Sequence, residues 1–294
     1  MPVPFSAMLI ANRGEIAIRI ANACADLGVR SVGVFAQDDQ ASLHTRQVDA
    51  AVALPGRGVP AYLDGAQLIA VAREQGCEAI HPGYGFLAEN ADFADQCAEA
   101  GITLIGPGAD TLRLFGDKAA ARALAARCQV PLVQGTAQAV SLEEARAFMA
   151  SLQGSGVMIK ALSGGGGRGM RAVTDSAALD AAYARCQSEA RAAFGNDAVY
   201  VEQLVDAARH IEVQVLGDGS GAVSHLWERD CTLQRRHQKL VEFAPAPGLD
   251  PALRDRIIDS ALTLAAEVSY RGIGTFEFLV EAEQGRFYFM EANP

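Results

Sequence analysis

Between residues 7 and 107, short runs rich in branched apolar side chains alternate with helical patterns, and this alternation constrains the chain more than any other feature. AMLIA (7–11) reads as a strand, and EIAIRIANACADLG follows as a helix closed by Gly28. VRSVGVFA is a second strand, DGAQLIAVAREQG a helix capped by Asp64, and EAIHPG a third strand. ENADFADQCAEAG makes a third helix and ITLIGP a fourth strand. A helix between successive strands returns the chain to the end it left, so the strands pair in parallel with helices on both faces. A doubly wound parallel sheet is the expectation for residues 1–112. The first turn, NRGE, has one glycine where a dinucleotide fingerprint needs GxGxxG, which rejects a nicotinamide or flavin site there.

From about Asp110 the pattern changes. The alanine-rich DTLRLFGDKAAARALAARC reads as a helical connection, assigned to 113–130. An α+β segment over 131–205 follows, with strands VMIK, GMRAVT and VYVEQLV and the helix SAALDAAYARCQSEARAAF. Residues 206–294 are rich in strands: HIEVQVLGDG, AVSHLWERD, GIGTFEFLVE and GRFYFMEAN, with a helix near 254–270. Half of the 294 residues are hydrophobic, enough for sizeable cores. The net charge of −10 argues against a polyanion-coating surface, so nucleic acid is not an expected partner. Cys24, Cys77, Cys97, Cys128, Cys186 and Cys231 show no CxxC spacing, and the opening MPVPFSAMLIANRGE has neither a basic start nor a long apolar run. Reduced thiols, a cytoplasmic location and no membrane span are the corresponding expectations.

Four consecutive glycines, 164–167, lie between Lys160 and Arg168. Glycine loses more backbone freedom on folding than any other residue, so the run needs a reason. Lys160 ends one strand and Gly169 opens the next, which makes the run a hairpin-like flap. A Walker loop is absent. Bare backbone N–H groups flanked by two cations suit a lid over phosphates; the plainer alternative is a flexible hairpin tip.

TFEFLVEAEQGRFYFMEANP reads as two strands around EQG. A loop of Glu283, Gln284 and a left-handed Gly285 pairs Ala282 with Arg286. That register sets Glu277 opposite Glu291, with Asn293 on the same face. Like charges so placed repel unless something positive lies between them. Two carboxylates and an amide oxygen suit Mg²⁺ shared with phosphate oxygens; the alternatives are one protonated glutamate or two that fray into solvent. Phe276, Phe278, Phe287 and Phe289 make these strands core-like, which favours the metal. No His or Cys cluster has the spacing of a zinc site.

WERDCTLQRRHQKLVEFAPAP gathers Arg229, Arg235, Arg236, His237 and Lys239 with Glu228, Asp230 and Glu242. Its interleaved Trp227, Cys231, Leu233, Leu240, Val241 and Phe243 are expected to bury the segment and bring its cations into a cleft for phosphate and a small carboxylate-like anion. Arg236 and Lys239 can instead pair with Glu228 or Glu242. His210 shares a strand face with Glu212 and Gln214 and is open to a ligand, whereas HPGYGF around His81 reads as a buried turn. Lys118, at the entry to the alanine-rich helix, is either a phosphate lysine or a surface lysine.

Together, ANRGEIAIRI, HPGYGFLAEN, GDKAAA, GGGGRGM, ERDCTLQRRHQK, EFAPAPG, YRGIGTFEFL and FMEANP resemble the biotin carboxylase component of biotin-dependent carboxylases, members of the ATP-grasp superfamily. The match runs from near residue 7 to the last residue. It implies a mixed α/β and α+β fold: a doubly wound, pre-ATP-grasp domain over 1–112, the connection over 113–130, a glycine-rich ATP-grasp lid over 131–205, and a metal-binding C-terminal part over 206–294 that is incomplete. It implies that Lys118 and Lys160 contact ATP phosphates, that Gly166 and Gly167 close over them, and that Glu202, Gln203, Leu204 and Val205 line the adenine pocket. By the same resemblance His210 and His237 meet the nucleotide, and Glu277, Glu291 and Asn293 hold Mg²⁺ or Mn²⁺. Lys239, which helps bind bicarbonate, and His237 are its catalytic candidates.

The implied reaction is attack of bicarbonate on the γ-phosphate of ATP to give carboxyphosphate, whose CO₂ is captured by the ureido nitrogen of a carried biotin. Implied partners are bicarbonate, a biotin carboxyl carrier domain or protein, a carboxyltransferase component, and further copies of the full-length protein in a homo-oligomer. Ser163 stands where the family often has a fifth glycine, and Gln203 where a lysine is frequent beside the adenine. The family pattern continues beyond Pro294 with an arginine and an RxQVEH-like segment, so these residues are expected to keep the nucleotide and Mg²⁺ groups without the complete carboxylation machinery. A carbamoyl-phosphate synthetase type of ligase is the rival enzyme, disfavoured by ERDCTLQRRHQK. A non-catalytic nucleotide-binding module is the other rival, against which the carboxylates and phosphate lysines argue.

Overall fold

The computed structural model describes residues 4–136, 138–152, 154–162, 169–235 and 238–294. The chain divides into two units, one comprising residues through Gly116 with Tyr270–Ile273 and Pro294, the other Asp117–Ser269 with Gly274–Asn293.

In the first unit, β1 Ala7–Ile10, β2 Arg30–Phe35, β3 Ala50–Ala53, β4 Ala79–His81 and β5 Thr103–Leu104 form a sheet of order β3-β2-β1-β4-β5. Every pair in it is parallel. Successive side chains of β1 point to opposite faces. Ala7 and Leu9 join a core with residues of α2 Gly65–Glu74, α3 Ala91–Glu99 and α4 Ala109–Gly116. Met8 and Ile10 pack with Ala17, Ile20 and Cys24 of α1 Gly14–Leu27 on the other face. Helices therefore cover both faces, as a buried parallel sheet requires. The loops after β1 and β4 meet at the point where the winding reverses, and there the buried Asn12 amide donates to the carbonyls of Pro82 (2.7 Å) and Tyr84 (2.9 Å).

Two features depart from the sequence reading. Strand β3 is an additional edge strand whose AAVA residues are exposed or half-buried, so it carries too weak an apolar signal to stand out; EAIHPG and ITLIGP thus contain the fourth and fifth strands. The alanine-rich stretch is two helices, because Asp117 leaves helical geometry to cap α5 Lys118–Arg127, accepting from the backbone N–H groups of Ala119 and Ala120.

In the second unit, β6 Val157–Ala161, β7 Met170–Val173 and β8 Val199–Gln203 form an antiparallel sheet of order β7-β6-β8. Its apolar face packs against α6 Leu142–Ser151 and α7 Leu179–Phe194. Helix α6 is a further element missing from the sequence reading; the reciprocal Ser141–Glu144 capping box marks its start. A five-stranded sheet holds β9 Arg209–Asp218, β10 Val223–Arg235, β11 Gln238–Phe243, β12 Arg271–Glu281 and β13 Arg286–Asn293 in the order β11-β10-β9-β12-β13. Helix α8 Pro251–Glu267 packs on β9 and β10.

The β12–β13 hairpin corrects the expected register. Ala282–Gln284 form a turn of 3-10 helix before Gly285, which is left-handed at φ 62°, so Glu281 and not Ala282 pairs with Arg286. Phe278 pairs with Phe289 at the same offset. A bulge at Met290 then adds one residue to β13, and Glu277 comes to face Glu291 while Thr275 faces Asn293. The expected glutamate pair is present, but a longer loop and a compensating bulge produce it.

All six cysteines are free, and five of them are buried. Among the described residues no helix is long and apolar enough to cross a membrane.

Candidate functional site

Strand alternation builds the site. On β9, Ile211, Val213 and Val215 turn to the apolar side and are fully buried, which sends His210, Glu212 and Gln214 to the opposite face. Glu277 is 3% exposed and sits at the centre of that face. Its Oε1 accepts from Lys239 Nζ at 2.8 Å and Asn293 Nδ2 at 2.7 Å, and its Oε2 from His210 Nε2 at 2.6 Å. Burial by itself raises the Glu277 pKa, yet the bonds from His210 and Lys239 outweigh it and hold the carboxyl at about 2. Lys239 Nζ also reaches Glu212 Oε2 at 2.5 Å. Burial opposes its charge, but the two glutamates raise its pKa above the usual lysine range. Arg229 closes the row, donating to Glu212 Oε1 at 2.6 Å and Gln214 Oε1 at 3.0 Å. Gln234 Nε2 donates to His210 Nδ1 at 2.7 Å, which leaves the ring proton on Nε2, facing Glu277.

A second polar group comes from the smaller sheet. Val157 and Ile159 of β6 face the helices, so Met158 and Lys160 face away from them, opposite Glu202 and Tyr200 of β8. Arg122 Nη1 donates to Glu202 Oε1 at 2.8 Å, and Lys160 Nζ donates to the other oxygen. Lys118 opens α5, which packs on β13. Burial, reinforced by neighbouring Lys160, lowers its pKa, against the opposing pull of Glu291 and Glu202.

A cavity of about 200 Å³ lies between these groups. Lys160, Glu202, His210 and Gln234 supply its polar lining, and Met158, Leu204, Leu279 and Met290 its apolar lining; Gln203 and Val205 also border it. An apolar slot that ends among cations and carboxylates suits a flat aromatic group joined to a polyanion. Glu277, Glu291 and Asn293 offer the hard oxygen donors that Mg²⁺ prefers, on paired strands. The Asn293 amide turns its nitrogen to Glu277, and half a rotation presents Oδ1 instead. The donor set therefore fits the metal.

The segment from Trp227 to Phe243 corrects another expectation. It is not drawn inward by its apolar residues: Trp227, Leu233, Leu240, Val241 and Phe243 are all exposed, and of the six only Cys231 is buried. The segment extends β10 and continues as β11 at the edge of the sheet, and two of its cations are held inward, Arg229 by Glu212 and Lys239 by Glu212 and Glu277, while Arg235 is exposed. Lys239 thus pairs with neither Glu228 nor Glu242; Glu228 instead accepts from Ala246 N at 3.1 Å. Gly166, Gly167, Arg236 and His237 lie outside the described residues. Arg122 and Gln234 are site residues that sequence reasoning missed. Arg122 stands four residues after Lys118, a spacing that places both on one helix face and was the available signal.

Residues 4–112 match the family described as biotin carboxylase, N-terminal domain, and residues 117–294 the family described as carbamoyl-phosphate synthase L chain, ATP binding domain. The chain is 49% identical over 294 residues to mitochondrial pyruvate carboxylase of Rattus norvegicus, covering 99% of this chain and 25% of that protein. It is 49% identical over 290 residues to pyruvate carboxylase of Bacillus subtilis, covering 98% and 25%. The chain thus spans about a quarter of the length of these relatives. Among solved structures, the biotin carboxylase–β,γ-ATP complex from Campylobacter jejuni matches with a TM-score of 0.93 at 41% identity, over 98% of this chain and 65% of that one. The biotin carboxylase domain dimer of Hydrogenobacter thermophilus 2-oxoglutarate carboxylase, solved with MgADP, ADP and bicarbonate, matches with a TM-score of 0.92 at 42% identity, over 98% and 64%. With sequence and fold agreeing along almost its whole length, the chain belongs to the biotin carboxylase family, joining that family's N-terminal domain to an ATP-binding domain of the carbamoyl-phosphate synthase type.

Proposed function

We propose that these residues form the ATP- and Mg²⁺-binding part of a biotin carboxylase, which carboxylates a carried biotin with bicarbonate at the expense of ATP. The observation that carries this reading is the Lys239 ammonium held between Glu212 and Glu277, beside a cavity that Lys160, Glu202 and His210 line. In this reading Lys118 and Lys160, with Gly166 and Gly167, take the ATP phosphates, and Glu202, Gln203, Leu204 and Val205 seat the adenine. His210 and His237 meet the nucleotide. Glu277, Glu291 and Asn293 hold Mg²⁺, which when bound neutralises phosphate charge.

Lys239 keeps its proton and holds bicarbonate while a bicarbonate oxygen attacks the γ-phosphorus and the bond to ADP breaks. Carboxyphosphate then breaks its C–O bond to give CO₂ and phosphate, and the ureido nitrogen of biotin forms its bond to the CO₂ carbon as its proton passes to the released phosphate. The protein's share is charge stabilisation by preorganised cations, which need no reorientation as the phosphoryl group transfers. The biotin belongs to a carrier domain or protein, and a carboxyltransferase component receives the carboxyl group. A homo-oligomer is the proposed assembly, as the H. thermophilus domain was solved as a dimer.

The test is ATP hydrolysis by the full-length gene product with bicarbonate, with and without free biotin. Dependence on both is the expected outcome. Dependence on ammonia or glutamine would move the protein to the carbamoyl-phosphate synthetase type, and ATP binding without turnover would leave a nucleotide-binding module.

A further inference from the structure

Glu202 is a buried carboxylate shared by two cations of different standing. Arg122 is fixed: besides its bond to Glu202 Oε1 it donates Nη2 to the Val133 carbonyl at 2.9 Å, and its side chain is 15% exposed. Lys160 has no second partner in the bonds described, and it lines the cavity. The Glu202 side chain is itself held in place by the backbone opposite. A Cβ at Gly135 would stand 2.8 Å from Glu202 Cγ, 3.1 Å from the Val201 carbonyl oxygen and 3.4 Å from Arg122 Nη2, so only glycine lets the strand pass this close. Lys118 also lies within electrostatic reach of Lys160, Glu202 and Glu291, so Glu202 stands among three cations.

We propose that Arg122 is a positioning residue: by occupying one oxygen of Glu202 it keeps Lys160 on a single, exchangeable bond, ready to transfer to the phosphates of a nucleoside di- or triphosphate. This rests on the nucleotide reading above. A buried carboxylate that loses one of its two cations must satisfy both oxygens from the other. Without Arg122, Glu202 would therefore grip Lys160 more tightly and withhold it from phosphate. The bonds of Arg122 go to Glu202 and Val133, so the apolar lining of Met158, Leu204, Leu279 and Met290 would not change.

The test is the affinity of the full-length gene product for Mg-ADP and for adenosine, by titration calorimetry. For Arg122→Met, Mg-ADP should bind about tenfold more weakly, the size of one charge-assisted hydrogen bond, while adenosine stays within about twofold. Arg122→Lys, which keeps the charge without the Val133 bond, should fall between. Adding Glu202→Gln to Arg122→Met removes the competing anion and should recover Mg-ADP binding relative to adenosine binding measured on the same variant. Equal losses for both ligands, no loss for Mg-ADP, or a double variant worse than the single one would overturn the proposal. Should Arg122→Met fail to fold, Arg122→Lys and the double variant carry the same comparison. Wild-type protein that binds no Mg-ADP would instead sink the nucleotide reading itself.

Discussion

His81 shows burial alone setting the charge of a side chain. Its Nδ1 accepts from Gly83 N at 3.0 Å, and desolvation lowers its pKa from 6.5 to about 4. The unfolded chain then takes up the proton first, so the contribution of His81 to stability is fully present above pH 6.5 and is lost as the pH falls toward 4. The loss is at most about 3 kcal/mol. Urea midpoints compared at pH 7 and near pH 4.5 should fall for the wild type, and by less for His81→Asn, whose side-chain oxygen can replace Nδ1. An unchanged slope in the variant would refute this account. HPGYGF, expected from local sequence as a buried turn, is buried only at Pro82: His81 is half-buried and Tyr84 is exposed. The partners of Lys239 do not follow from local sequence, because Glu212 and Glu277 reach it from strands far apart in the chain.

At the scale of elements, start signals decide where side chains point. Asp117 ends α4 and caps α5, and the next residue is Lys118. Replacing Asp117 with alanine removes both cap bonds and should cost about 1 kcal/mol of stability. It should also weaken Mg-ADP binding, because the first turn of α5 carries Lys118. Thermal melts and calorimetry read the two effects, and a variant that lost stability while binding Mg-ADP normally would detach Lys118 from the phosphates. The β12–β13 hairpin shows the limit of element-level inference. Gly285 marks its loop plainly, but nothing local announces the Met290 bulge, which follows the residue, Phe289, whose N–H donates to the Pro131 carbonyl at 2.8 Å.

At the scale of the whole molecule, every residue proposed here to hold nucleotide or metal belongs to the second of the two units. A ligand stabilises what it binds by mass action, about 2.7 kcal/mol at a hundredfold excess over Kd. Mg-ADP should therefore slow hydrogen exchange in β6, β8, β9 and β13 and leave β1 and β2 unchanged, a pattern that mass spectrometry of peptides resolves. Uniform protection of both units would contradict the assignment. The sequence by itself determined the parallel course of β1, β2, β4 and β5, since a helix separates each from the next, whereas edge strand β3, reached from β2 through short 3-10 turns, escaped it. It also determined the left-handed turn at Gly285, because that geometry is local and glycine alone takes it without strain. Only the tertiary structure decided the exposed edge hairpin of β10 and β11, the meeting of Lys239 with Glu212 and Glu277, and the Arg122–Glu202–Lys160 bridge. Each of these joins residues from separate elements, and attraction between buried charges depends on where the folded backbone sets them down, which spacing along the chain does not encode.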